Sequence, residues 1–200
     1  MGEDRKFFEH DPFQPNVPYS ATKAGGDLLV RAWYQSYNVP VIVTHCTNNY
    51  GPFQHPEKLI PNVFRRLMYN EKVQVHGQGH HIRDWIFVED HCKALDILLR
   101  KGTNGEVYNI AGNNEKSTLE VVHALLRLMG KSEDVIEFIK DRPGNDLRYA
   151  LHTNKIKDQF GWDPQVSFEQ GVERTVQWYK DNIDWVQESW ASNQEFNKYS

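Results

Sequence analysis

The sequence is poor in cysteine and contains no long apolar run. Its two cysteines, Cys46 and Cys92, lack C-x-x-C spacing, which argues against a disulfide framework or zinc ribbon and fits a reducing, cytosolic environment. No apolar stretch approaches the roughly 20 residues that a membrane span requires, and the first ten residues show no apolar signal core. We therefore expect no membrane partner and a cytoplasmic location.

Positive charge is also scarce relative to negative charge. Lys and Arg number 23 against 27 Asp and Glu, which gives a net charge of -4 and argues against general nucleic-acid binding. The 200 residues are 39% hydrophobic and 25% charged, as in globular chains. This length indicates one domain or two small intertwined ones.

The glycine-rich loops that hold phosphates are missing. The chain contains neither G-x-G-x-x-G nor G-x-x-x-x-G-K-[ST], and Gly77-Gln78-Gly79 is not followed by the third glycine. If the protein uses a dinucleotide, the cradle for its pyrophosphate is not in this chain.

Hydrophobic periodicity predicts alternating helices and strands, which is an α/β pattern with some parallel sheet. Residues 1–17 are polar and indicate a loop or frayed end. We predict helices over 18–37, about 57–69, about 89–100, 117–129, 153–161 and from 167 through 179, with strands over 41–46, 73–75, 85–88, 107–110 and 135–139. Residues 48–52 are predicted to form a loop at the carboxyl end of a strand, where ligands bind in open α/β sheets.

Local signals mark several helix ends. Ser117 with Glu120 and Ser167 with Gln170 match capping boxes, Gly130 fits a helix C-terminus, and Thr153 is a candidate cap. The Gly25-Gly26 pair weakens the first helix, which suggests close approach of another backbone or a partner helix.

Tyr19 and Lys23 lie four residues apart at the start of the first predicted helix, and therefore on one face. A nearby ammonium favours the phenolate form of tyrosine, so the pair can form a general base. So short a motif also arises by chance, and on its own it fits an ordinary surface helix equally well.

The context of this pair resembles the extended short-chain dehydrogenase/reductase family. PYSATKAGGDLLVRAW followed by VIVTHCTNNYGP carries that resemblance. HPEKLIPNV, QGHHIRDWIFVEDH, VYNIAGNNE and DRPGNDLRYALHTNKI resemble its dTDP-glucose 4,6-dehydratase branch in particular. The ordered resemblance covers residues 12–180.

The resemblance implies an NAD-dependent lyase that removes water from dTDP-glucose to give dTDP-4-keto-6-deoxyglucose. Tyr19 would take the proton of the sugar 4-hydroxyl, and Lys23 would tune Tyr19 and bind the nicotinamide ribose. Asn49 would contact the cofactor. The family also implies a homodimer, commonly formed through the helix of the Tyr-Lys pair.

The same resemblance implies a substrate site. Its residues would be Asn48, Lys58, Leu59, Arg83, Asn109, Asp141, Arg142, Pro143, Gly144 and Asn145. Many relatives have His at the position of Asn145. His76 stands where relatives usually have Tyr, so stacking on the base is not assigned to it. From the residues alone, Arg83 fits a structural ion pair with Asp84 or Asp90 as well as a phosphate ligand.

Histidines and cysteines offer rival sites. His76 and His80 are four residues apart, but the intervening glycines break a helix and no carboxylate or cysteine stands at ligand spacing, so we predict no metal site. Cys46 is expected to be buried at a strand end, with His45 on the opposite face, which argues against a nucleophilic cysteine.

The chain departs from the family at its beginning. The family places a glycine-rich loop and an adjacent Asp-Glu acid/base pair ahead of the Tyr-Lys pair, and Glu3-Asp4, in a polar leader, is not assigned that role. We therefore expect that the chain is the C-terminal part of such an enzyme and that it is inactive alone.

Residues 1–53 would be a remnant of the Rossmann domain and 54–200 mainly a small α/β nucleotide-sugar-binding domain, with about 86–116 returning to the partial Rossmann-like parallel sheet. The alternatives are a non-catalytic nucleotide-sugar-binding or dimerising module, or a related epimerase or decarboxylase.

Overall fold

A computed structural model describes residues 5–197, so Glu3-Asp4 lie outside the described residues. The helices are α1 Pro18–Tyr37, α2 Leu59–Met68, α3 Val88–Lys101, α4 Thr118–Met129, α5 Asn154–Phe160, α6 Phe168–Asp181 and α7 Ile183–Asn197. The strands are β1 Val43–Cys46, β2 Asn48–Tyr50, β3 Val73–His76, β4 Ile82–Phe87, β5 Val107–Ile110, β6 Glu115–Ser117, β7 Ile136–Ile139 and β8 Arg148–Tyr149. Among these described helices, none is long and apolar enough to span a bilayer.

The strands form three small sheets that are mostly parallel. β1 pairs with β5, β3 pairs with β7, and β4 pairs with β2 and β8, all in parallel, whereas β4 and β6 are antiparallel. The predicted α/β class is therefore confirmed. The pairing of β1 with β5 brings residues 107–110 beside the first strand. The predicted division of the chain into two domains stays a prediction.

The predicted loop over residues 48–52 is wrong at its start. Asn48–Tyr50 form a strand because their backbone pairs with Trp85–Phe87 of β4, a partner that lies about 37 residues along the chain. The turn begins only at Gly51. Polar side chains at these positions concealed a backbone pairing that depends on tertiary structure.

Strand β4 separates two hydrophobic clusters. Trp85 and Phe87 pack into the larger one with α2, α4 and α6, whereas Ile86 packs into a second one with Leu98 and Trp162. Successive side chains of a strand point to opposite faces, so one strand supplies both clusters. All three side chains are almost completely buried, which makes β4 the centre of the molecule.

Helix α1 lies against the rest of the chain without burying any of its residues. Leu29 is 64% exposed and Trp33 is 55% exposed. A methyl group added at Gly25 or Gly26 meets nothing within 4 Å, so the close approach predicted for these glycines is not made by the described chain. The apolar side chains of α1 consequently form a face that the described chain does not cover.

Residues 5–17 form a loop, which is one of the two predicted alternatives, and residues 5–11 are attached to the rest of the chain and not frayed. The Phe7 amide donates to the Ala150 carbonyl (3.0 Å) and the Phe7 carbonyl accepts from the His152 amide (2.9 Å). The ring of Phe8 stacks on His152 at 4.0 Å. These non-local contacts attach the segment to β8 and its flank, while local hydrogen bonds between Phe8 and Asp11 shape its turn.

The capping boxes at Ser117 and Ser167 are confirmed, since each side chain accepts from the backbone three residues later. Gly130 ends α4 in the left-handed conformation, as predicted. Thr153 precedes α5, but its side chain makes no capping hydrogen bond, so its predicted capping role is wrong.

Asp90 joins α3 to the segment before α6. Its buried carboxylate accepts from the amides of Gln165 and Val166, both at 2.8 Å, and from the Lys93 ammonium at 3.1 Å. Burial opposes ionisation of Asp90, but these donors together outweigh it and lower its pKa.

We expect Asp90→Asn to lower the free energy of unfolding by about 1–3 kcal/mol at pH 7, because an amide replaces a buried carboxylate that accepts three hydrogen bonds. The control Asp96→Asn, in an exposed pair with Arg100, should cost less than about 0.5 kcal/mol. The pKa of Asp90 is lower in the folded protein than in the unfolded chain, where it is about 3.9. The ionised Asp90 carboxylate therefore stabilises the fold above the unfolded pKa, and this stabilisation is lost as the pH falls through the pKa of the folded protein. Urea unfolding should show the gap between wild type and Asp90→Asn narrowing on acidification; equal stability of both variants at pH 7 contradicts this assignment.

Candidate functional site

An exposed loop, residues 141–147, folds back from the end of β7 onto the turn after β3. The Asp141 carboxylate contacts His81 Nε2 at 3.2 Å, and Arg142 Nε donates to His76 Nε2 at 3.3 Å. Arg83 on β4 donates to Asn145 Oδ1 at 3.0 Å. The structure thus brings together Arg83 and three of the loop residues that the resemblance implies.

Gly77 allows this loop to come so close. It has φ +57°, and a methyl group built on it would lie 3.1 Å from Asp141 Oδ2. Its amide donates to the Ile139 carbonyl at 2.9 Å, which continues the parallel pairing of β3 with β7 into the turn. Only glycine adopts this backbone without strain, so the turn and the loop form a matched pair.

The other side of the loop touches the residues that lead into α1. Asn16 Nδ2 donates to Asp146 Oδ1 at 2.8 Å, and a methyl group on Gly144 would lie 3.0 Å from Val17 Cγ1. Tyr19 follows as the second residue of α1, and Lys23 lies one turn later; both are exposed. The loop therefore connects Arg83 with the beginning of the helix that carries the Tyr-Lys pair.

Tyr149 links the loop electrostatically with α1 and β1. It pairs with Arg83 in the β4–β8 ladder, and burial raises its pKa to about 12, with smaller contributions from Cys46, Asp27 and Asp146. These neighbours come from β1, α1 and the loop respectively. Tyr149 is consequently a neutral phenol at pH 7 that lies between the two ends of the candidate site.

Cys46 is exposed, so the expectation that it is buried is wrong. In the described part of the chain β1 pairs only with β5, which leaves its other edge open. The protein atoms around the sulfur still raise the pKa of the thiol, against the smaller opposing effects of Asn49 and Lys23. Lys23 therefore lies close enough to Cys46 to influence it. A thiol with a raised pKa is a poor nucleophile, as predicted from the sequence.

Buried oxygen atoms without partners cluster after β1. Thr47 Oγ1, Asn49 Oδ1 and Gln54 Oε1 are buried and unpaired within the described structure. The Asn49 amide donates to the Thr47 carbonyl at 3.3 Å, which orients its Oδ1 away from that bond. Unpaired buried acceptors are costly, so donors from water, a ligand or another chain segment are expected at these atoms. Asn48, beside them on β2, is exposed.

Lys58 and Leu59 lie at the beginning of α2. The Lys58 ammonium pairs with the neighbouring Glu57 at 2.9 Å, and Leu59 packs against the larger hydrophobic cluster. Their substrate role stays a prediction. Pro143 and Gly144 are exposed on the loop and also keep their predicted role without a direct test.

Asn109 is completely buried, at 0% exposure, and does not reach an open surface. Its side-chain amide donates to the Phe7 carbonyl at 3.0 Å and its backbone amide donates to Glu9 Oε1 at 3.1 Å. The segment over residues 5–9 covers this side of β5. In this structure Asn109 anchors that segment while its own Oδ1 is buried and unpaired, and its predicted substrate role stays a prediction.

The sequence reasoning missed the contacts of Asn16, His76 and His81. It weighed the histidines as metal ligands and His76 also for stacking on a base; among the described residues no group of three His, Cys, Asp or Glu side chains is placed to hold a metal. The alternative that Arg83 pairs with Asp84 or Asp90 is not favoured, because Asp84 accepts from the amides of Asn113 and Asn114 and Asp90 has the partners given above. The signal that could have found the histidine contacts is the pair of histidines flanking the glycine turn.

Comparison with known proteins identifies the family. The sequence profile of the GDP-mannose 4,6 dehydratase family matches residues 2–175. The chain belongs to this family. The predicted similarity to dTDP-glucose 4,6-dehydratases is confirmed: that of Xanthomonas campestris pv. campestris is 48% identical over 196 residues, which cover 94% of this chain and 56% of the relative. The chain therefore spans a little over half the length of the curated relatives it matches.

Solved structures of dTDP-glucose 4,6-dehydratases resemble this chain in fold and in sequence. A dTDP-glucose 4,6-dehydratase from Bacillus anthracis in complex with NAD is 47% identical, with a TM-score of 0.90, over 94% of this chain and 60% of that one. One from Streptomyces venezuelae with NAD and TYD bound is 41% identical, with a TM-score of 0.89, over 92% of this chain and 57% of that one. The Rossmann-like α/β architecture that the sequence predicts is confirmed by these likenesses.

We expect Gly77→Ala to destabilise the chain and to loosen loop 141–147, because the new methyl group meets the Asp141 carboxylate. Gly130→Ala is the matched control, since Gly130 has a similar φ of +62° but open space around it. Both variants should lose about 1–2 kcal/mol from the left-handed backbone, whereas only Gly77→Ala should speed hydrogen exchange in the loop. Unchanged exchange over residues 141–147 in Gly77→Ala would show that the turn does not hold the loop.

Proposed function

We propose that this chain is the catalytic-helix and nucleotide-sugar-binding part of a dTDP-glucose 4,6-dehydratase. The whole enzyme would remove water from dTDP-glucose and give dTDP-4-keto-6-deoxyglucose. One observation carries the proposal: loop 141–147 contacts Arg83 on one side and the residues before Tyr19 on the other. The similarity to dTDP-glucose 4,6-dehydratases supplies the identity of the nucleotide and the sugar.

Arg83 and Arg142 form the anion-binding end of the proposed site. Arg83 is half-buried and donates to two uncharged acceptors, the Ile82 carbonyl at 2.7 Å and the Asn145 amide at 3.0 Å. Burial lowers its pKa slightly against the opposing effect of Asp146, yet guanidinium stays charged at pH 7. A partly desolvated guanidinium whose partners are neutral groups favours binding of an anion. The planar guanidinium groups of Arg83 and Arg142 can each donate two parallel hydrogen bonds, which suits a diphosphate.

Tyr19 and Lys23 form the proposed catalytic end. Tyr19 is the second residue of α1 and Lys23 lies one turn later on the same face, which places a phenol oxygen and an ammonium at the start of one helix. Tyr19 Oη would accept the proton of the sugar 4-hydroxyl. NAD, when bound, provides the acceptor for the hydride that leaves C4.

The residues of this chain fit only one end of NAD. Tyr19, Lys23 and Asn49 would contact the nicotinamide and its ribose, and the buried unpaired Oδ1 of Asn49 is an acceptor available there. The glycine-rich pyrophosphate loop and the Asp-Glu acid/base pair are not recognisable in the chain. We therefore assign to this chain the proton-accepting group and the substrate pocket, and not the elimination of water.

We further propose a cytoplasmic homodimer in which α1 lies at the interface. Every residue of α1 is at least partly exposed, and Leu28, Leu29 and Trp33 are apolar. Gly25 and Gly26 leave room for a closely packed second helix. The free cysteines are compatible with the reducing cytosol.

Calorimetric titration with dTDP-glucose tests the substrate pocket. We expect the 200-residue chain to bind this nucleotide sugar without converting it, because its pocket is mostly present while the elimination machinery is not. Arg83→Ala should weaken binding by about 10- to 100-fold through loss of a charged hydrogen bond. Arg100→Ala, which removes an exposed pair with Asp96, should not change the affinity.

Two results would contradict this assignment. Dehydratase turnover by the 200-residue chain would place the elimination chemistry within it. Failure of the chain to bind dTDP-glucose would remove the pocket, and binding that survives in Arg83→Ala would place the diphosphate elsewhere.

Tyr19→Phe tests the catalytic end in the whole protein that contains this chain. Removing the hydroxyl abolishes the proton acceptor, so turnover should fall by about 10²- to 10⁴-fold while binding of dTDP-glucose is retained. Tyr37→Phe, an exposed tyrosine at the other end of α1, is the matched control and should keep full activity. Comparable turnover in the two variants would exclude Tyr19 as the base.

A further inference from the structure

His76 holds the side chain of Arg142 through a defined tautomer. His76 ends β3 and is half-buried. Its Nδ1 lies 3.0 Å from the Lys140 carbonyl oxygen, which can only accept, so Nδ1 carries the proton. Its Nε2 accepts from Arg142 Nε at 3.3 Å. This pair of bonds requires a neutral imidazole, since the protonated ring has no acceptor.

The bond uses Nε of Arg142 and leaves its two terminal nitrogens for another ligand. An arginine on an exposed loop has many rotamers, and a ligand that binds it must restrict them. If the bond to His76 fixes the guanidinium of Arg142 before the ligand arrives, less side-chain entropy is lost when the ligand binds. The terminal nitrogens form the planar fork that matches a phosphate group.

The backbone of the loop is held separately. His81, which is 8% exposed, contacts the Asp141 carboxylate at 3.2 Å, and Gly77 lies against the same carboxylate. Loss of the His76 bond should therefore free the Arg142 side chain without detaching the loop. The charged or titratable groups around His76 are Arg142, Asp141, Lys140 and His81, with Arg83 further along the loop contact.

We propose that neutral His76 is a positioning residue that directs Arg142 toward the diphosphate of the bound nucleotide sugar. This inference rests on the proposed function and deepens it.

Affinity for dTDP-glucose tests the proposal. At pH 7.5 we expect His76→Phe and Arg142→Ala each to weaken binding about tenfold, and the double variant to be no weaker than Arg142→Ala. His76→Gln keeps an acceptor and should bind within about threefold of wild type.

The rival role for His76, stacking on the base, predicts different results. His76→Phe would then bind as well as wild type, and its effect would add to that of Arg142→Ala. Either result overturns the proposal.

Nitrogen-15 spectroscopy of the ligand-free chain separates this inference from the proposed function. The Arg142 Nε–H should exchange slowly at pH 7.5 in wild type and rapidly in His76→Phe, with circular dichroism showing that both are folded. Equal exchange in the two proteins overturns the positioning role even if dTDP-glucose binds. A protected Nε–H in a chain that binds no dTDP-glucose would overturn the proposed function and, with it, the diphosphate target.

Discussion

The arrangement of the candidate site depends on the hydrogen-bonded ladders of strand β4. Its first residues pair with β8, which ends loop 141–147, and its last residues pair with β2, which carries Asn48 and Asn49. Arg83 stands in the first ladder and Trp85 in the second. A slip of one residue would move Arg83 and each of its neighbours to the opposite face of β4. Trp85, Ile86 and Phe87 are all buried in their present places, so their packing enforces the register that places Arg83 beside the loop.

Around this strand the chain separates two chemical tasks. The guanidinium groups of Arg83 and Arg142 lie with the loop, whereas Tyr19 and Lys23 lie on α1. Tyr149 pairs with Arg83 in the β4–β8 ladder and stays neutral, because burial raises its pKa to about 12. Under the proposed function, the two guanidinium groups would offset locally the net charge of -4 where an anionic substrate would bind.

Features determined by neighbouring residues were predictable from the sequence, and features determined by distant ones were not. Helix α4 follows from a capping box, a 3.6-residue pattern and a terminal glycine, all within the helix itself. Strand β2, the attachment of residues 5–9 over Asn109 and the contacts of His76 and His81 with the loop each join residues about 35 to 100 positions apart. The loop itself was predicted through resemblance, because its side chains carry no periodic signal. Cys46 shows the same limit, since its exposure depends on which strand lies beside β1.

The contact of Asn16 and Val17 with the loop has a thermodynamic consequence. Asp27 bonds to His45 at 3.0 Å and anchors α1 eight residues after Tyr19, which is about 12 Å along the helix axis. The beginning of the helix is held mainly through the loop, so a tilt of about 10° around Asp27 would move the phenol of Tyr19 by about 2 Å over that length. Under the proposed function, a ligand that stabilises the loop would therefore also restrict the position of Tyr19, so that ligand binding at the loop and the placement of the phenol would be energetically coupled.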